Sequence, residues 1–260
     1  MKLLLFDGLN LSRRIFSAGC SDQTPPDDDL TEQLARRCAG SLDRALATHQ
    51  PSHAAAAFAA PGATWRHRLC PAYKANHKPM PAALAQAMPR LRAGFRERGV
   101  RDLEAADCAA DDVLASVAAN VAARQGEVVI LSTDRLPCQL LDRHIAVFDH
   151  FSRRRLDRAY VLDRFQVEPR QIPDLLGLAG DHGAAVPGVP GVGLKTAAML
   201  LGQFGSLEGV LAHAGEIPGR AGRRIRAHRE AAATAKALFT LRTDIVLGVN
   251  LQDLRLPGKA

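Results

Sequence analysis

Short apolar runs alternate with long helical patterns through the first half of the chain. The apolar runs are Lys2 to Phe6, His53 to Phe58 and Glu127 to Leu131, and the helical patterns cover Leu30 to Thr48, Ala82 to Arg98 and Ala110 to Arg124. Such alternation predicts an α/β fold whose sheet is mainly parallel and flanked by helices. Ligands of parallel sheets gather at the carboxyl ends of the strands, so residues that follow the apolar runs are candidates for a site.

Aspartates stand at the ends of several of these elements. Asp7 follows the first run, Asp134 follows the third, Asp111 and Asp112 begin a helical pattern, and Asp181 lies in the second half of the chain. Carboxylate oxygens suit Mg²⁺, which keeps several waters and often takes further ligands from substrate phosphates. Taken singly, each aspartate is better explained as a helix cap or turn residue. Together they predict a site for metal-assisted phosphodiester hydrolysis.

A glycine-spaced turn opens directly into an apolar helix in the second half of the chain. It reads VPGVPGVGLKTA from Val186 to Ala197. The first amides of a helix have no internal partner and hold phosphate, and the glycines allow a backbone to approach closely. A P-loop fits poorly because Leu194 separates Gly193 from Lys195, and the dinucleotide fingerprint lacks its third glycine. The turn favours a helix-hairpin-helix that grips a nucleic-acid backbone, with a plain interhelical turn as the alternative.

The charge balance suits a polyanionic partner. The 260 residues include 34 Lys and Arg against 27 Asp and Glu, a formal net charge of +7. The five cysteines show no zinc-ligand spacing, which predicts free thiols. No stretch approaches the roughly 20 apolar residues of a membrane span. We therefore predict a cytoplasmic protein with no membrane contact and no small-molecule cofactor.

Two segments depart from the alternation. Trp65 to Pro81 is basic, aromatic and punctuated by prolines, which predicts a surface loop or lid. From about Phe165 the pattern is all-helical and ends in an extended tail after Asn250. Because this half carries the glycine turn, we expect it to be a helical DNA-binding subdomain.

Six motifs follow one another in a distinctive order along the chain. They are Asp7-Gly8, Trp65-Arg66-His67 with Tyr73-Lys74, Ala110-Asp111-Asp112, Ser132-Thr133-Asp134, Gly177 to Gly180, and Val186 to Thr196. In this order they resemble the bacterial 5'-3' exonuclease and flap endonuclease family, and within it the small Xni branch. The resemblance covers nearly the whole chain. It implies a PIN-like nuclease domain over 1–160 with a basic helical arch at about 65–100, and a helical subdomain over 161–260 with a helix-three-turn-helix motif.

The resemblance also implies roles for individual residues. Asp111 would bind a catalytic Mg²⁺ with Asp7 and Asp134 beside it, Asp112 would act through water, and Asp181 would be a further ligand. Lys74 would act on the scissile phosphate, with Tyr73 beside it at the arch entrance as a DNA contact. Main-chain carbonyls would hold a potassium ion, and they belong to Leu178, Ala179, Pro187, Val189 and Val192. The residues that match the DNA-contacting turn are Gly191, Val192, Gly193, Leu194, Lys195 and Thr196.

The chain departs from the family pattern at several carboxylates. Ala59 stands where an aspartate follows the second strand, Ala109 replaces a glutamate before Asp111, and Ala184 replaces the second aspartate after Asp181. These losses imply one magnesium site and the absence of the second. The leading hypothesis is a monomeric Mg²⁺-dependent flap endonuclease acting on DNA with 5' flaps or branched duplex ends. The alternatives are a flap-DNA-binding protein with weakened or no catalysis and, more distantly, a PIN-type ribonuclease.

Overall fold

The computed structural model describes residues 1–258, so the subdomain expected over 161–260 ends just outside the described residues. The strands within this range are β1 (Lys2–Asp7), β2 (His53–Ala57), β3 (Arg101–Leu103), β4 (Glu127–Leu131), β5 (Ile145–Asp149) and β6 (Arg154–Arg155). The helices are α1 (Gly8–Ser17), α2 (Asp28–His49), α3 (Trp65–Leu69), α4 (Ala82–Arg96), α5 (Ala110–Ala123), α6 (Arg158–Phe165), α7 (Ile172–Ala179), α8 (Leu194–Phe204), α9 (Leu207–Ala212), α10 (Gly219–Ala227) and α11 (Arg229–Phe239). None of these helices combines the length and apolar character needed to cross a membrane.

The strands form one sheet in the order β3-β2-β1-β4-β5-β6. β1 to β5 pair in parallel, and β6 pairs antiparallel with β5. The mainly parallel sheet flanked by helices that the alternation predicts is confirmed. The sequence patterns locate β1, β2 and β4 but not β3, β5 and β6. Strands β3 and β6 have only three and two residues, which is too short for a periodic signal to stand out.

Helices cover both faces of the sheet, and alternate side chains of β1 enter different cores. Leu4 and Phe6 pack on one face with α1, α2 and α4. Leu3 and Leu5 pack on the other face with α5 and with the C-terminal helices α7, α8 and α11. All four side chains are at most 1% exposed, so β1 is the centre of the fold. The carboxyl end of β1, where Asp7 lies, therefore stands between the two helical layers.

The segment expected to form a helical arch, about 65–100, lies largely within the core of the α/β domain. Leu84, Ala87 and Leu91 of α4 are at most 1% exposed in the core that α4 shares with α2. Arg66 of α3 is also 1% exposed, so the surface loop predicted from Trp65 is wrong at its beginning. A basic pattern does not reveal that an arginine has a buried carboxylate partner. Only the connection between α3 and α4, residues 70–81, lies outside these helices and is left for the expected arch.

The C-terminal part is helical, as the sequence predicts. Helices α6 to α11 follow one another without another strand in the described residues, and α11 packs across α7. The irregular tail begins after α11, earlier than the expected start after Asn250. It returns to the sheet, where the backbone N–H of Leu256 donates to the carbonyl of Ser52 at 3.0 Å. The tail thereby ties the C-terminal helices to the start of β2.

Candidate active site

Asp7 ends β1 and caps α1, so its carboxylate is fixed through both oxygens. Oδ1 accepts from the backbone N–H of Asn10 at 3.1 Å, and Oδ2 accepts from the Ser132 hydroxyl at 2.8 Å. The Ser132 Oγ in turn accepts from the backbone N–H of Asp134 at 3.1 Å. Phe6 pairs with Leu131, so the ends of β1 and β4 are neighbours. Parallel pairing therefore brings Asp7 and Asp134 to one edge of the sheet.

Asp111, in the first turn of α5, shares this edge. Burial, followed by the charges of Asp7 and Asp134, raises the pKa of the Asp111 carboxyl to about 8. Burial also raises the pKa of Asp7 to about 6, although its two hydrogen bonds oppose the increase. The charge of Lys74 lowers the pKa of both carboxyls, because its ammonium lies near them. We call Asp7, Asp111, Asp134 and Lys74 the carboxylate cluster.

A cleft of about 400 Å³ opens over the carboxylate cluster. Its lining residues include Tyr73, Lys74, His77, Asp111, Asp134, Tyr160, Arg164 and Asp181. Tyr160 and Arg164 belong to α6 and were not predicted, because neither belongs to a recognisable motif. A larger groove of about 680 Å³ lies between α5 and the tail, but Asp244 is the one acidic residue that lines it. The smaller cleft combines several carboxylates with Lys74 and Arg164, which suits a cation and a phosphate together.

Asp112 lies outside the carboxylate cluster although it follows Asp111. Its side chain is fully buried in an ion pair with Arg66, whose Nη2 lies 2.7 Å from Oδ1. The indole Nε1 of Trp65 and the backbone N–H of Arg242 also donate to this carboxylate, each at 3.1 Å. Successive helical residues point about 100° apart, which turns Asp112 away from the cleft. The structure therefore corrects the expected water-mediated magnesium role of Asp112 to a structural one.

Asp181 lines the cleft, but both of its oxygens already have partners. Oδ2 forms an ion pair with Arg135, and Oδ1 accepts from the backbone N–H of Ala184 at 2.8 Å. The carbonyl of Ala184 accepts from the backbone N–H of Lys74 at 2.7 Å, so the loop that Asp181 begins also supports Lys74. A magnesium-ligand role for Asp181 requires the Arg135 pair to open.

Tyr73 supports the cleft from within the protein. Its ring is 5% exposed, packs edge-on against His67 with centroids 5.6 Å apart, and has the Lys74 Nζ 5.5 Å from its centroid. Burial raises the pKa of the Tyr73 phenol. A ring this buried cannot stack on a base. Tyr73 supports Lys74, and the DNA contact expected of it stays a prediction.

The carboxylate cluster is not a closed metal cage. Among residues 1–258, no three carboxylate, imidazole or thiol groups converge closely enough to hold one ion. Mg²⁺ still fits the cluster, because it retains several waters and commonly uses only one or two protein carboxylates with substrate phosphates. After burial, repulsion by Asp7 and Asp134 raises the pKa of Asp111, and a divalent cation would relieve that repulsion. Ala59, Ala109 and Ala184 offer no carboxylate for a second ion.

The glycine turn packs two stretches of backbone against each other. Gly180 and Gly188 have φ angles of +70° and +60°, a region that favours glycine. A Cβ on Gly188 would lie 2.7 Å from the carbonyl carbon of Ala179, and a Cβ on Gly180 would lie 2.6 Å from the carbonyl oxygen of Pro187. Only glycine permits this approach, which brings the two stretches of backbone into contact.

The potassium site expected at these carbonyls is compatible with the backbone geometry. The carbonyl of Leu178 accepts from the backbone N–H of Val189 at 2.8 Å, and that of Val189 accepts from Val192 at 3.0 Å. Each carbonyl oxygen has two lone pairs, so one hydrogen bond leaves capacity for a cation. Rings of backbone carbonyls are the donor set that K⁺ prefers.

The outer surface of the glycine turn presents the start of α8. This helix begins at Leu194, and its N-cap Gly193 provides no side-chain cap for the first amides. Gly191, Gly193, Leu194 and Lys195 are exposed, and Thr196 is half-buried. The Val192 side chain is 3% exposed, so only its backbone is available to a ligand. Free amides at a helix start and a lysine are groups that can bind phosphate, so the binding role expected of this turn stays a prediction.

Two family models together match nearly the whole chain. The 5'-3' exonuclease N-terminal resolvase-like domain matches residues 2–166, and the 5'-3' exonuclease C-terminal SAM fold matches residues 167–260. The chain belongs to the 5'-3' exonuclease family. The resemblance drawn from the order of the motifs is therefore confirmed.

Relatives of this 5'-3' exonuclease family member extend over its full length. The chain is 41% identical over 258 residues to flap endonuclease Xni of Cronobacter sakazakii, covering 98% of both chains. It is 42% identical over 260 residues to flap endonuclease Xni of Edwardsiella ictaluri, covering 99% of this chain and 98% of that protein. The similarity to the Xni branch is thus confirmed as well.

Solved structures share the fold of this 5'-3' exonuclease family member at low identity. T5 5'-exonuclease with bound divalent zinc ions matches with a TM-score of 0.79 and 20% identity, covering 94% of this chain and 90% of that chain. Bacteriophage T5 flap endonuclease in a pseudo-enzyme-product complex with DNA and metal ions matches with a TM-score of 0.75 and 19% identity. The match covers 92% of this chain and 89% of that chain. The likeness shows a common fold.

Proposed function

We propose that this protein is a structure-specific flap endonuclease that binds DNA with 5' flaps or branched duplex ends and hydrolyses phosphodiesters with Mg²⁺. The observation that carries the proposal is the carboxylate cluster at the carboxyl edge of the sheet, where Asp111 has a pKa of about 8. Full-length relatives at 41% and 42% identity bear the flap endonuclease name. Residues 1–160 would form the nuclease domain, and residues 161–260 the helical DNA-binding subdomain.

The residues around the cleft have separate tasks in this proposal. The bonds from Asn10 and Ser132 hold the Asp7 carboxylate in one orientation. Asp111 and Asp134 supply the negative charge that attracts a cation, and Lys74 supplies positive charge for the phosphodiester. When bound, Mg²⁺ would offset charge on the phosphate and lower the pKa of the attacking water.

The raised pKa of Asp111 couples cation binding to pH. A metal ion binds the ionised carboxylate, so a carboxyl that is protonated near neutral pH must release its proton on binding. Affinity for Mg²⁺ therefore rises as the pH rises toward the Asp111 pKa of about 8.

The test of the proposal is cleavage of a labelled duplex with a 5' flap. We expect the purified protein to cut this DNA near the branch with Mg²⁺ or Mn²⁺, to lose the activity in EDTA, and to leave a blunt duplex of the same sequence largely intact. A protein that binds the flap but cuts it with neither metal would instead be a flap-DNA-binding protein. The absence of carboxylates at Ala59 and Ala109 and the Asp181–Arg135 pair favour this second candidate.

We further propose that the turn from Gly191 to Thr196 anchors duplex DNA with the help of a K⁺ ion. The donors would be the carbonyls of Leu178, Ala179, Pro187, Val189 and Val192. The close packing of Gly180 against Pro187 supports this arrangement, because it draws the two carbonyl-bearing stretches together.

Replacing K⁺ by Li⁺ at constant ionic strength should weaken duplex binding, because a smaller cation cannot contact all of these carbonyls. We expect a loss of several-fold, measured by fluorescence anisotropy in EDTA. Constant ionic strength is essential, since phosphate contacts are themselves salt-dependent. Lys195→Ala should weaken binding in both salts, whereas Arg101→Ala, which removes an exposed arginine at the start of β3, should not. Equal affinity of the wild-type protein in both salts would contradict the ion site.

A further inference from the structure

Arg135 lines the same cleft as the carboxylate cluster and follows Asp134 in the chain. Its guanidinium forms an ion pair with Asp181, and its side chain is 32% exposed. Within residues 1–258 the guanidinium donates to no other acceptor. An arginine carries five N–H donors, so this pair leaves several of them for a ligand. Lys74 and Arg135 therefore both bring positive charge to the cleft.

The backbone that carries Arg135 is fixed by its neighbours. The Oδ1 of Asp134 accepts from the backbone N–H of Leu136 at 2.8 Å, where a short 3₁₀ helix begins. In this helix the Gln139 Nε2 donates to the carbonyl of Phe239 at 3.1 Å. The segment that follows Arg135 is thereby tied to the end of α11. The guanidinium extends into the cleft from an anchored position.

The loop that begins at Asp181 holds the other half of the pair. The backbone N–H of Asp181 donates to the carbonyl of Val186 at 2.7 Å, and the N–H of Val186 donates back at 3.0 Å. Inside this closed loop, Asp181 Oδ1 accepts from Ala184 and Oδ2 faces Arg135. The carbonyl of Ala184 also accepts from the backbone N–H of Lys74. One loop therefore positions both cations of the cleft.

The ion pair changes which cation serves the cleft. A carboxylate paired with a guanidinium attracts a metal ion weakly, because its charge is already offset. The loop offers no second carboxylate to compensate, since residue 184 is alanine. A guanidinium is permanently charged, and its planar fork matches the oxygens of a phosphate. A fixed guanidinium can therefore stabilise charge on a phosphodiester, which is a task that a second metal ion performs in two-metal sites.

We propose that Arg135 binds the scissile phosphate and takes the role of a second metal ion. Asp181 is then a positioning residue that holds the guanidinium, and it is not a ligand of Mg²⁺. The inference rests on the proposed function, because it takes a phosphodiester to enter the cleft beside Lys74. It adds a second cation to the carboxylate cluster.

Manganese binding in the absence of DNA tests whether Arg135 masks Asp181. Mn²⁺ is titrated into the wild-type protein, Arg135→Met, Asp181→Asn and the double variant, and the free ion is followed by EPR. Arg135→Met should raise the Mn²⁺ affinity at least about threefold, because Asp181 loses its partner. Asp181→Asn alone should change the affinity by less than about twofold. In the Arg135→Met background the same substitution should remove the gain, which is the signature of coupled residues.

Single-turnover cleavage of a 5'-flap DNA tests the phosphate role. At saturating enzyme and Mg²⁺, Arg135→Met should cut about 10- to 100-fold more slowly, since a cation at the phosphate is lost. Its affinity for the flap in EDTA should stay within about threefold. Arg135→Lys should keep the wild-type Mn²⁺ affinity and recover part of the rate, because it retains the charge without the fork. Metal affinity and rate thus move in opposite directions in Arg135→Met, which a folding defect would not produce.

Arg98→Met is the matched control. Arg98 also pairs with an aspartate, Asp43, and its side chain is 23% exposed. Neither residue lines the cleft. The control should leave the Mn²⁺ affinity and the cleavage rate within about twofold of the wild-type values, since it frees an aspartate away from the carboxylate cluster.

Each part of the proposal can be overturned separately. Unchanged or weaker Mn²⁺ binding in Arg135→Met would show that Arg135 does not mask Asp181. A loss of about tenfold in Asp181→Asn would make Asp181 a metal ligand. A wild-type or faster cleavage rate in Arg135→Met would exclude the phosphate role. If the wild-type protein cuts flap DNA with neither metal, the proposed function fails and the phosphate role with it. The Mn²⁺ titrations contain no DNA, so they distinguish that failure from the absence of the pair.

Discussion

Asp111→Asn should lower flap cleavage by about 10²- to 10³-fold while leaving flap affinity in EDTA within a factor of about two. Asparagine keeps the shape of the side chain but removes the negative charge that Asp111 contributes next to Asp7 and Asp134. Single-turnover cleavage at saturating enzyme separates the chemical step from binding. Asp29→Asn is the matched control, because it removes an exposed aspartate of the first turn of α2 that does not line the cleft. A wild-type cleavage rate in Asp111→Asn would exclude Asp111 from the reaction.

The same variant should be more stable than the wild-type protein in the absence of metal. Because the folded state raises the pKa of Asp111 from 3.8 to about 8, folded protein binds more protons than unfolded protein between these pH values. The free energy of unfolding therefore falls as the pH rises through this window. The destabilisation reaches its full size above the pKa of Asp111 in the folded protein. The Tm advantage of Asp111→Asn in EDTA should grow from pH 5 to pH 8.5 and should shrink when Mg²⁺ is added.

Differential scanning fluorimetry across this pH range provides the measurement. Asp29→Asn should follow the wild-type curve, since that aspartate is exposed. Parallel Tm curves for Asp111→Asn and the wild-type protein would mean that burial and the neighbouring carboxylates do not raise the pKa of Asp111.

Arg66→Met should lower the free energy of unfolding by about 3–5 kcal/mol, because it leaves the Asp112 carboxylate buried without its cation. The Arg66 Nε also donates to the carbonyl of Leu238 at 2.6 Å, so the variant loses a tie between the nuclease core and the end of α11. Urea denaturation measures the change. Asp112→Leu in the Arg66→Met background should restore part of the loss, since it removes the unpaired charge.

Arg68→Met is the control for this substitution. Arg68 is the same residue type two positions along the chain, and it pairs with Asp107 at the surface, where its side chain is 67% exposed. Its loss should hardly move the urea midpoint, because exposed pairs are weak. An equally small effect of Arg66→Met would show that the Arg66–Asp112 pair does not hold α3 and α5 together.

The sequence was sufficient for the fold class and for the family. Continuous apolar runs separated by segments with a helical pattern predict a parallel sheet between helices. The observed sheet agrees with that prediction. The order of the motifs indicated the 5'-3' exonuclease family because each motif has a recognisable local spacing. Short strands such as β3 and β6 escaped prediction, since three and two residues are too few to show a hydrophobic period.

The candidate site was predictable only in part. Asp7 and Asp134 could be placed together, because parallel strands that end in aspartates bring them to one edge. The sequence could not distinguish the role of Asp112 from that of Asp111, since both residues fit the same motif.

The sequence by itself determined which residue types stand at the ends of the strands and at the glycine turn. The strand ends follow from the local hydrophobic pattern, and the turn follows from the conformational freedom of glycine. Tertiary structure alone decided which charges meet. It paired Asp112 with Arg66 and Asp181 with Arg135. The physical reason is that burial and charge pairing depend on contacts between distant segments, whereas strand and turn signals depend on neighbours along the chain.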